Sequence, residues 1–402
     1  MLQLSLVCLF CAILICLPLA AIFTFTTTPS VDSYAAAIAS SLPPAPVGNN
    51  SFTTRKNPEP ILLPPTQTIT IIKNRTAAAT STPPPTPATQ LTGDDISLLK
   101  LASRVDQSPK PVKKLAFMFL TASPLPLAPL WELYFSRASK NLYNIYVHAD
   151  PGVNYTTPFL GVFAGRVIPS KPTLRHTPTL ISAARRLLAH ALLHDESNSM
   201  FALLSPSCIP IHSFNYTYRV LSASRLSFVE ILKNEPFAHW RWAARGENAM
   251  LPEVEFEDFR VGSQFWVVTR RDARIIVADT WLWSKFKLPC IRDATCYPEE
   301  HYFPTLLSMV DPRGCVPCTL THVSWKDGND GHPRIYNGSE VGPDLILALR
   351  GRRPRYGYRE SDGSNSSVSV KARRDNFLFA RKFAPASLHN LISIANDVIF
   401  KD

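Results

Sequence analysis

Hydrophobic and polar positions from residue 114 onward form short, continuous apolar runs separated by stretches of helical spacing. The runs Lys114–Thr121 ("KLAFMFLT"), Leu142–His148 ("LYNIYVH") and Met200–Ser205 have the length and composition of buried strands. Between them, Pro129–Lys140 and Thr177–His194 place apolar residues on one helical face. Strand, helix, strand, helix, strand is the order typical of a parallel sheet with right-handed crossovers.

The second half of this region has a less regular pattern. Its predicted elements are a strand at Gln264–Thr269, a helix at Arg271–Asp279, a helix starting at Glu299, a strand at Leu320–Trp325, and helices at Pro343–Arg350 and Ala386–Phe400. The Gly- and Ser-rich tract Arg352–Lys371 is predicted to be a mobile loop. The pattern indicates an α/β fold, whose ligands bind beyond the carboxyl ends of the strands. Thr121 and Asp150 would then lie at a nucleotide site.

The N-terminus differs from the rest of the chain. Leu2–Phe25 holds no charged side chain, and its length is close to the ~20 residues that span a bilayer. We therefore predict a transmembrane signal anchor over residues 1–25. A cleaved signal peptide is the alternative, since Leu19-Ala20-Ala21 supplies the small residues of a cleavage site. Either reading sends the remaining chain into the secretory lumen.

Residues 26–109 have the composition of a stalk. They contain thirteen prolines, many Thr, Ser and Ala, and few aromatic residues. Such a segment cannot bury enough apolar surface to fold, and we expect it to be disordered and extended. The composition changes at Pro109-Lys110-Pro111, so the folded domain is predicted to cover residues 110–402.

N-glycosylation sequons are scattered along the chain. Each is an Asn-x-Ser/Thr triplet without a central proline, and the six are at Asn49, Asn74, Asn154, Asn215, Asn337 and Asn365. One triplet carries little information, whereas six behind a secretory N-terminus indicate a lumenal glycoprotein.

Five of the eight cysteines lie outside the apolar N-terminal segment. In an oxidising lumen we expect Cys290 and Cys296 to close a short loop, and Cys315 and Cys318 to pair with each other or with that loop. A zinc site built from these four thiolates is the alternative. Cys208 is predicted to be a buried free thiol.

The charge of the chain limits its partners. The net charge is +11, and residues 110–402 hold 36 Lys+Arg against 26 Asp+Glu. A basic domain of this kind binds nucleic acid or a phosphate-bearing small molecule. No zinc-finger, homeodomain or RNA-binding motif is present, so we expect no nucleic-acid partner.

Several enzyme motifs are absent from the sequence. There is no G-x-G-x-x-G, Walker or G-x-S-x-G sequence, which argues against dinucleotide enzymes, kinases and common hydrolases. The Asp-x-Asp pair through which many nucleotide-sugar enzymes hold a divalent metal is also missing. An enzyme of that kind has to neutralise its departing diphosphate with fixed cations. Arg381 and Lys382, flanked by phenylalanines in "FLFARKF", fit that need; an ordinary amphipathic chain end is the alternative.

Two adjacent carboxylates, Glu299 and Glu300, stand in "CYPEEHYFPTLL". A solvated helix face explains them without function. A carboxylate at the rim of an apolar cleft instead provides a general base, typically worth 10²–10⁴-fold in rate. With an ordinary pKa of about 4.3, such a base is ionised in a mildly acidic lumen, and the helix N-terminus favours that form. We interpret one of these two acids as the base and the other as its support.

Six stretches together resemble one known family. They are "YNIYVHAD" (143–150), "FALLSPSCIPIHSF" (201–214), "MLPEVEFEDFRVGSQFWVVTRRDA" (250–273), "CYPEEHYFPTLL" (296–307), "TLTHVSW" (319–325) and "FLFARKF" (377–383). Over nearly all of residues 113–400 the chain resembles the plant branch of the core-2/I-branching β-1,6-N-acetylglucosaminyltransferases, glycosyltransferase family 14.

The resemblance implies an inverting, metal-independent glycosyltransferase with a modified GT-A (Rossmann-like) fold, held in the Golgi membrane as a type II protein. Glu300 matches the family's catalytic base, and Arg381 and Lys382 match the basic pair at the donor diphosphate. Asp150 matches the acid near the uridine, with Thr121 on the same side. No divalent metal and no cofactor beyond the UDP-sugar donor is expected.

On the acceptor side the resemblance implies fewer contacts. Trp325 matches an aromatic residue that lines this side, and Glu299 lies beside the base. Ser263 and Gln264 belong to the predicted strand beside the donor sugar. The expected partners are a UDP-sugar that carries N-acetylglucosamine or glucuronic acid, a glycan or glycoprotein acceptor such as arabinogalactan, and the membrane.

The sequence departs from the family at a few positions. Arg175-His176 stands where plant members usually have Trp-Gly, and Pro206 replaces a residue that is more often polar. The second arginine of the diphosphate site is unassigned, with Arg350, Arg359 and Arg374 as candidates. A catalytically silent lumenal protein that binds glycans or scaffolds other transferases is therefore an alternative hypothesis. A retaining or metal-dependent transferase is another, and sensitivity to a chelator would support it.

Overall fold

Strand β1 (Lys114–Thr121) is an inner strand of the main sheet of the computed structural model, which describes residues 95–155, 159–292, 295–326, 328, 332–357 and 374–402. It pairs in parallel with β2 (Tyr143–Ala149) on one side and with β3 (Asn198–Leu204) on the other. Seven of its eight residues are buried. A strand covered on both faces needs a continuous apolar run, and "KLAFMFLT" supplies it.

Three short strands extend this sheet beyond β3. They are β5 (Ser227–Phe228), β6 (Val267–Thr269) and β7 (Cys315–Val316), and the strand order is β2-β1-β3-β6-β5-β7. β6 is antiparallel to both of its neighbours, whereas β5 and β7 are parallel. The domain therefore has a mixed α/β fold in which one half of the main sheet is parallel, as the sequence predicts.

A second sheet has three strands in the order β4-β9-β8. Its central strand β9 (Phe379–Arg381) is antiparallel to β4 (Ile209–Pro210) and parallel to β8 (Thr321–Val323). This pairing brings the C-terminal "FLFARKF" segment beside "TLTHVSW", although the two are far apart in the sequence.

Helices cover both faces of the main sheet. The α-helices are α1 Asp95–Ala102, α2 Ala128–Ser136, α3 Thr179–His194, α4 Phe214–Ala223, α5 Ala238–Trp242, α6 Arg270–Ala278, α7 Trp281–Phe286, α8 Pro298–Val310, α9 Pro343–Gly351 and α10 Leu388–Ser393. Shorter 3₁₀ segments lie at Lys140–Leu142, Gly161–Phe163, Ala243–Arg245, Phe256–Asp258, Gly338–Glu340 and Pro385–Ser387, and a π-helical turn follows at Ala395–Ile399. The long C-terminal helix expected at Ala386–Phe400 is therefore divided into three segments.

The alternation of side chains along β1 separates two apolar clusters. Ala116, Met118 and Leu120 face a cluster that includes residues of α1, α3, α6 and α8. Leu115 and Phe117, together with Phe119, face a second cluster built with α2 and α4. This is the period-2 geometry of a strand that has a core on each side.

Helix α1 lies within the range 26–109 that the composition assigns to the stalk. Its Leu98 and Ala102 are buried, and it packs against α3 and α6. "DISLLKLA" contains no proline and spaces its apolar residues as a helix does. The stalk was predicted from the proline content of the whole range, and that average conceals this short helical segment. The folded part thus begins before residue 110.

Most of the predicted N-terminal features lie outside the described residues. These are the anchor at 1–25, the stalk up to residue 94, and the sequons at Asn49, Asn74 and Asn365. Only 352–357 of the predicted mobile loop are described. Within the described ranges, no helix has the length and apolar character needed to cross a bilayer. Three further sequon asparagines are exposed at the surface, at Asn154, Asn215 and Asn337.

The cysteines divide between the two sides of the main sheet. Cys290 and Cys296 form a disulfide, as predicted, and this bond removes them from a four-thiolate zinc site. Cys315 and Cys318 form no disulfide, contrary to expectation. They belong to the two different apolar clusters, so their side chains lie on opposite faces of the sheet. Cys208 is a buried free thiol, as predicted.

Arg270 joins four chain segments at one point of the fold. Its buried guanidinium donates to the backbone carbonyls of Asp106 at 2.8 Å, Asn198 at 3.2 Å, and Asp195 and Leu192 at 3.4 Å. We expect Arg270→Met to lower the free energy of unfolding by about 2–4 kcal/mol, because the carbonyls lose a charged donor in the interior. Urea unfolding of the full-length chain measures this. Arg104→Met, at an exposed position, is the matched control, and an equal effect of both changes would contradict the assignment.

Candidate active site

A cleft of about 980 Å³ lies beyond the carboxyl end of β1. Its lining includes the end of β1, the loop before α3, residues 261–265, the start of α8, strands β8 and β9 with the loops beside them, and residues from 230–235 and 352–355. The volume is that of a site for a substantial organic ligand. The position agrees with the general placement of ligands in α/β folds.

The predicted uridine-side residues have different surroundings. Thr121 lines the cleft, and its hydroxyl bonds with the backbone of Ser123. Asp150 is buried and outside the cleft lining; its carboxylate accepts from Gly152 N at 2.8 Å and from Thr173 N and Oγ1 at 2.7 Å. Burial alone would raise the pKa of Asp150, but these hydrogen bonds outweigh it and lower the pKa. Asp150 therefore fixes Thr173, which does line the cleft.

The cation pair predicted for the diphosphate lies at the end of β9. Arg381 and Lys382 both line the cleft. The Arg381 guanidinium lies 4.4 Å from the centre of the Phe265 ring, and no hydrogen-bond partner among the described residues reaches its buried Nε. Burial lowers the pKa of Lys382, and the neighbouring Arg381 lowers it further. The pair thus presents positive charge in a partly dry site, where it acts more strongly on an anion.

Glu300 reaches the cleft from the first turn of α8. Pro298 occupies the first position of the helix, which its fixed φ favours. The Glu300 carbonyl accepts a hydrogen bond from Gly262 N at 2.8 Å. A Cβ added at Gly262 would collide with the Glu230 carbonyl oxygen, so only glycine allows this close approach. The first turn of α8 is therefore fixed against residues 261–265.

The Glu300 carboxylate forms an ion pair with Arg241. Arg241 Nη1 lies 3.2 Å from its Oε2, and the Arg241 guanidinium stacks 5.2 Å from the Tyr297 ring centre. Burial raises the pKa of Glu300, and Arg241 works in the opposite direction. The raised pKa of Glu300 differs from the ordinary pKa expected from the sequence. The sequence pattern does not reveal how deeply this carboxyl group is buried, and so it does not show that burial outweighs the helix dipole.

Glu299 is buried beside Glu300. Burial raises the pKa of Glu299 to about 7, and no hydrogen-bond partner in the described residues reaches its Oε2. The nearby Arg245 is also buried, and its guanidinium stacks 4.9 Å from the Phe286 ring centre. Glu299 lines the cleft and is buried, so it is not a solvated cap of the helix. Its burial argues against the interpretation that both acids lie on a solvated helix face.

Glu230 is a third carboxyl group of the cleft, and the sequence analysis missed it. Burial raises the pKa of Glu230 to about 7. It follows β5, a strand of two residues that is too short for a recognisable apolar run. Its neighbour Glu235 also lines the cleft and pairs with Arg355 through both guanidinium nitrogens. No strand-end pattern pointed to this acid.

The predicted acceptor-side residues all line the cleft. Trp325 is 62% exposed, so its ring is available to a ligand. Ser263 accepts from Phe265 N at 3.1 Å, which bends the segment, and Gln264 lies between them. Glu299, described above, completes the set. Which of these contacts belong to a donor or an acceptor stays a prediction.

Neither of the two described candidates for a further diphosphate arginine lines the cleft. Arg350 donates to the carbonyls of Ile211 at 2.5 Å and Ile399 at 2.7 Å, away from the cleft lining. Arg374 is absent from the lining, and Arg359 lies outside the described residues. The cleft instead contains five other arginines that the sequence did not assign to the diphosphate, at Arg175, Arg241, Arg352, Arg353 and Arg355.

The burial of Glu299 makes the stability of the fold depend on pH. In the unfolded chain its pKa is about 4.3, so between that pH and about 7 the folded chain holds a proton that the unfolded chain has lost. The contribution of Glu299 to stability is therefore present at low pH and lost as the pH rises towards 7. When the pH is raised from 5 to 8, the free energy of unfolding of Glu299→Gln should increase relative to that of the native chain by an amount on the order of 2–3 kcal/mol. Urea unfolding at both pH values measures the difference.

Glu247→Gln is the matched control for this experiment, because Glu247 is exposed. Its stability relative to the native chain should be the same at both pH values. A constant difference for Glu299→Gln as well would show that Glu299 is not buried in its neutral form.

Comparison with known proteins identifies the family of the chain. Residues 115–350 match the family described as Core-2/I-Branching enzyme. The chain is also 29% identical over 326 residues to the rice (Oryza sativa subsp. japonica) protein named Glycosyltransferase BC10, a match that covers 73% of this chain and 80% of the relative. The chain belongs to the Core-2/I-branching enzyme family and is a glycosyltransferase.

Proposed function

We propose that this glycosyltransferase uses a UDP-sugar, acts with inversion, and needs no divalent metal. One observation carries the proposal: a single cleft holds a carboxylate, Glu300, and a pair of fixed cations, Arg381 and Lys382. A direct displacement at a sugar carbon requires a base on one side and a stabilised leaving group on the other. The arrangement provides both.

The proposed reaction is one displacement. An acceptor hydroxyl attacks the anomeric carbon and forms the new glycosidic bond, while the bond from that carbon to the diphosphate oxygen breaks. The hydroxyl proton passes to the Glu300 carboxylate, and the electron pair of the broken bond leaves with the diphosphate. Attack opposite to the leaving group inverts the configuration. Arg381 and Lys382 stabilise the charge that develops on the diphosphate.

The fixed cations are the reason for proposing metal independence. Divalent metals serve such reactions by neutralising the leaving phosphates. Two adjacent cations in a partly buried position supply positive charge as a metal does, so no bound ion is needed. The carbohydrate chemistry is proposed to follow the family: N-acetylglucosamine or glucuronic acid as the transferred sugar, and a glycan or glycoprotein such as arabinogalactan as the acceptor.

The finer architecture and location are part of the same proposal. The fold is proposed to be a modified GT-A (Rossmann-like) fold, supported by the parallel strands β1, β2 and β3 with the cleft at their carboxyl ends. The protein is proposed to be a type II Golgi membrane protein with a lumenal catalytic domain. The apolar segment 2–25 and the sequons support this location.

Glu300→Gln is expected to lower the turnover number by about 10²–10⁴-fold, because it removes the proton acceptor while keeping the size of the side chain. The measurement is UDP release by the purified full-length chain with a panel of UDP-sugars and candidate glycan acceptors. A chelator should leave the native rate unchanged. Lys382→Ala should also reduce the rate, through loss of charge at the diphosphate.

Glu247→Gln, at the exposed position used above, should keep native turnover. Loss of activity with chelator would overturn metal independence and support the metal-dependent alternative. Full turnover in Glu300→Gln would remove Glu300 from the mechanism. If the native chain binds no UDP-sugar, the catalytically silent scaffold becomes the better hypothesis.

Arg241 should set the pH at which the base is lost. Burial raises the pKa of Glu300 and Arg241 opposes this shift, so Arg241→Ala should raise that pKa further. The acid limb of the pH profile of kcat/KM, where Glu300 becomes protonated, is then expected to move to higher pH. Arg292→Ala is the matched control, because Arg292 also stacks at 5.2 Å, on Trp240. An unmoved acid limb in Arg241→Ala would mean that another group limits the rate.

A further inference from the structure

The dipeptide Arg175-His176, which departs from the family pattern, lies in the loop before α3 and has no role in the mechanism above. His176 has a φ of 62°, in the left-handed region that few residues other than glycine adopt. Its Nδ1 lies 3.1 Å from the Cys296 carbonyl oxygen, and its ring centre lies 5.1 Å from that of Tyr297. These contacts hold the loop against the residues that precede α8, the helix of Glu300.

Arg175 extends from this fixed point into the cleft. It lines the cleft, and its Nη2 lies 3.1 Å from His332 Nδ1, on the segment after β8. A guanidinium always donates, so Nδ1 is the acceptor and this hydrogen bond requires a ring without a proton at Nδ1. The Arg175 side chain therefore bridges the loop before α3 and the segment around His332.

The charge of Arg175 acts on both halves of the proposed mechanism. It interacts electrostatically with Glu299 and Glu300 on one side and with Arg381 and Lys382 on the other. Arg175 also lines the same cleft as these four groups, so all five side chains border one ligand space. In the proposed displacement the transferred sugar would lie between the base and the diphosphate cations, in the cleft that Arg175 lines.

Arg175 differs from two other arginines of the cleft in its hydrogen-bond partner. Arg241 pairs with Glu300, and Arg355 pairs with Glu235. The hydrogen bond of the Arg175 side chain in the described part of the chain goes to His332, an imidazole, and not to a carboxylate. A guanidinium presents a planar fork that fits two anionic oxygens at once. No carboxylate of the described residues occupies that fork through a hydrogen bond, and the side chain lines the cleft.

We propose that Arg175 is a specificity-determining residue that binds an anionic oxygen of the nucleotide-sugar donor beside the anomeric carbon. This inference rests on the proposed function. The anionic oxygen belongs either to the phosphate that bears the sugar or to a carboxylate on the transferred sugar. Both are oxyanions within reach of one guanidinium. The two cases differ in which ligands bind more weakly when Arg175 is changed.

The test is calorimetric binding of UDP, UDP-N-acetylglucosamine and UDP-glucuronic acid to the full-length chain and to Arg175→Gln. Loss of a charge-assisted hydrogen bond is expected to weaken binding by about ten- to hundredfold. If Arg175 contacts the phosphate, Arg175→Gln should bind all three ligands more weakly, and to a similar extent. If Arg175 contacts a carboxylate on the sugar, only the binding of UDP-glucuronic acid should weaken, and the affinities for UDP and UDP-N-acetylglucosamine should be unchanged. Arg175→Lys should recover part of the affinity, since it keeps the charge and loses the fork.

Arg104→Gln is the control for a general loss of positive charge, because Arg104 is exposed and outside the cleft lining. A urea unfolding midpoint of Arg175→Gln equal to that of the native chain would show that the fold is intact. Native affinity of Arg175→Gln for all three ligands overturns the inference.

Glu300→Gln separates this inference from the proposed function. It should lose turnover and keep donor binding, and the effect of Arg175→Gln on binding should persist in the double variant. Donor binding that is insensitive to Arg175, with turnover still dependent on Glu300, overturns the role of Arg175 alone. Failure of the native chain to bind any of the three ligands overturns both.

Discussion

The hydrogen bond from Gly262 N to the Glu300 carbonyl is the contact on which the geometry of the cleft depends. It joins the first turn of α8 to the segment that carries Ser263 and Gln264. The same glycine lies against the Glu230 backbone, so three walls of the cleft meet at one residue without a side chain. A larger residue would separate these walls. The position of Glu300 relative to residues 261–265 is thus a consequence of backbone packing.

Burial is the second constraint, because it acts on acids and cations in opposite directions. It raises the pKa of Glu230, Glu299 and Glu300, and it lowers the pKa of Arg381 and Lys382. Each group is therefore held in a site that disfavours its charged form. Arg241 opposes this shift for Glu300, whereas Glu299 has no hydrogen-bond partner at Oε2 among the described residues. Two adjacent carboxyl groups of the same type thereby acquire different properties.

The sequence predicted the elements with long patterns and missed those without one. β1, β2, β3 and α3 have continuous apolar runs or a clear helical face, and the structure contains all of them. β5, β7 and β4 are two residues long, so no period can be recognised, and Glu230 was missed with them. Cys315 and Cys318 were expected to pair because spacing was considered without the pleat that sends them to opposite faces. Asp150 was placed at the correct strand end, but its hydrogen bonds to Thr173 depend on a loop that no local pattern specifies.

The cations of the cleft show why an anionic donor fits it energetically. The positive charges of Arg381 and Arg175 add to the effect of burial in lowering the pKa of Lys382, so these groups repel one another when no anion is between them. A diphosphate removes that repulsion and replaces part of the water that the cations lose on burial. A neutral ligand of the same size does neither. In the proposed mechanism, preference for an anionic donor would therefore arise from the mutual repulsion of these cations as much as from the contacts made after binding.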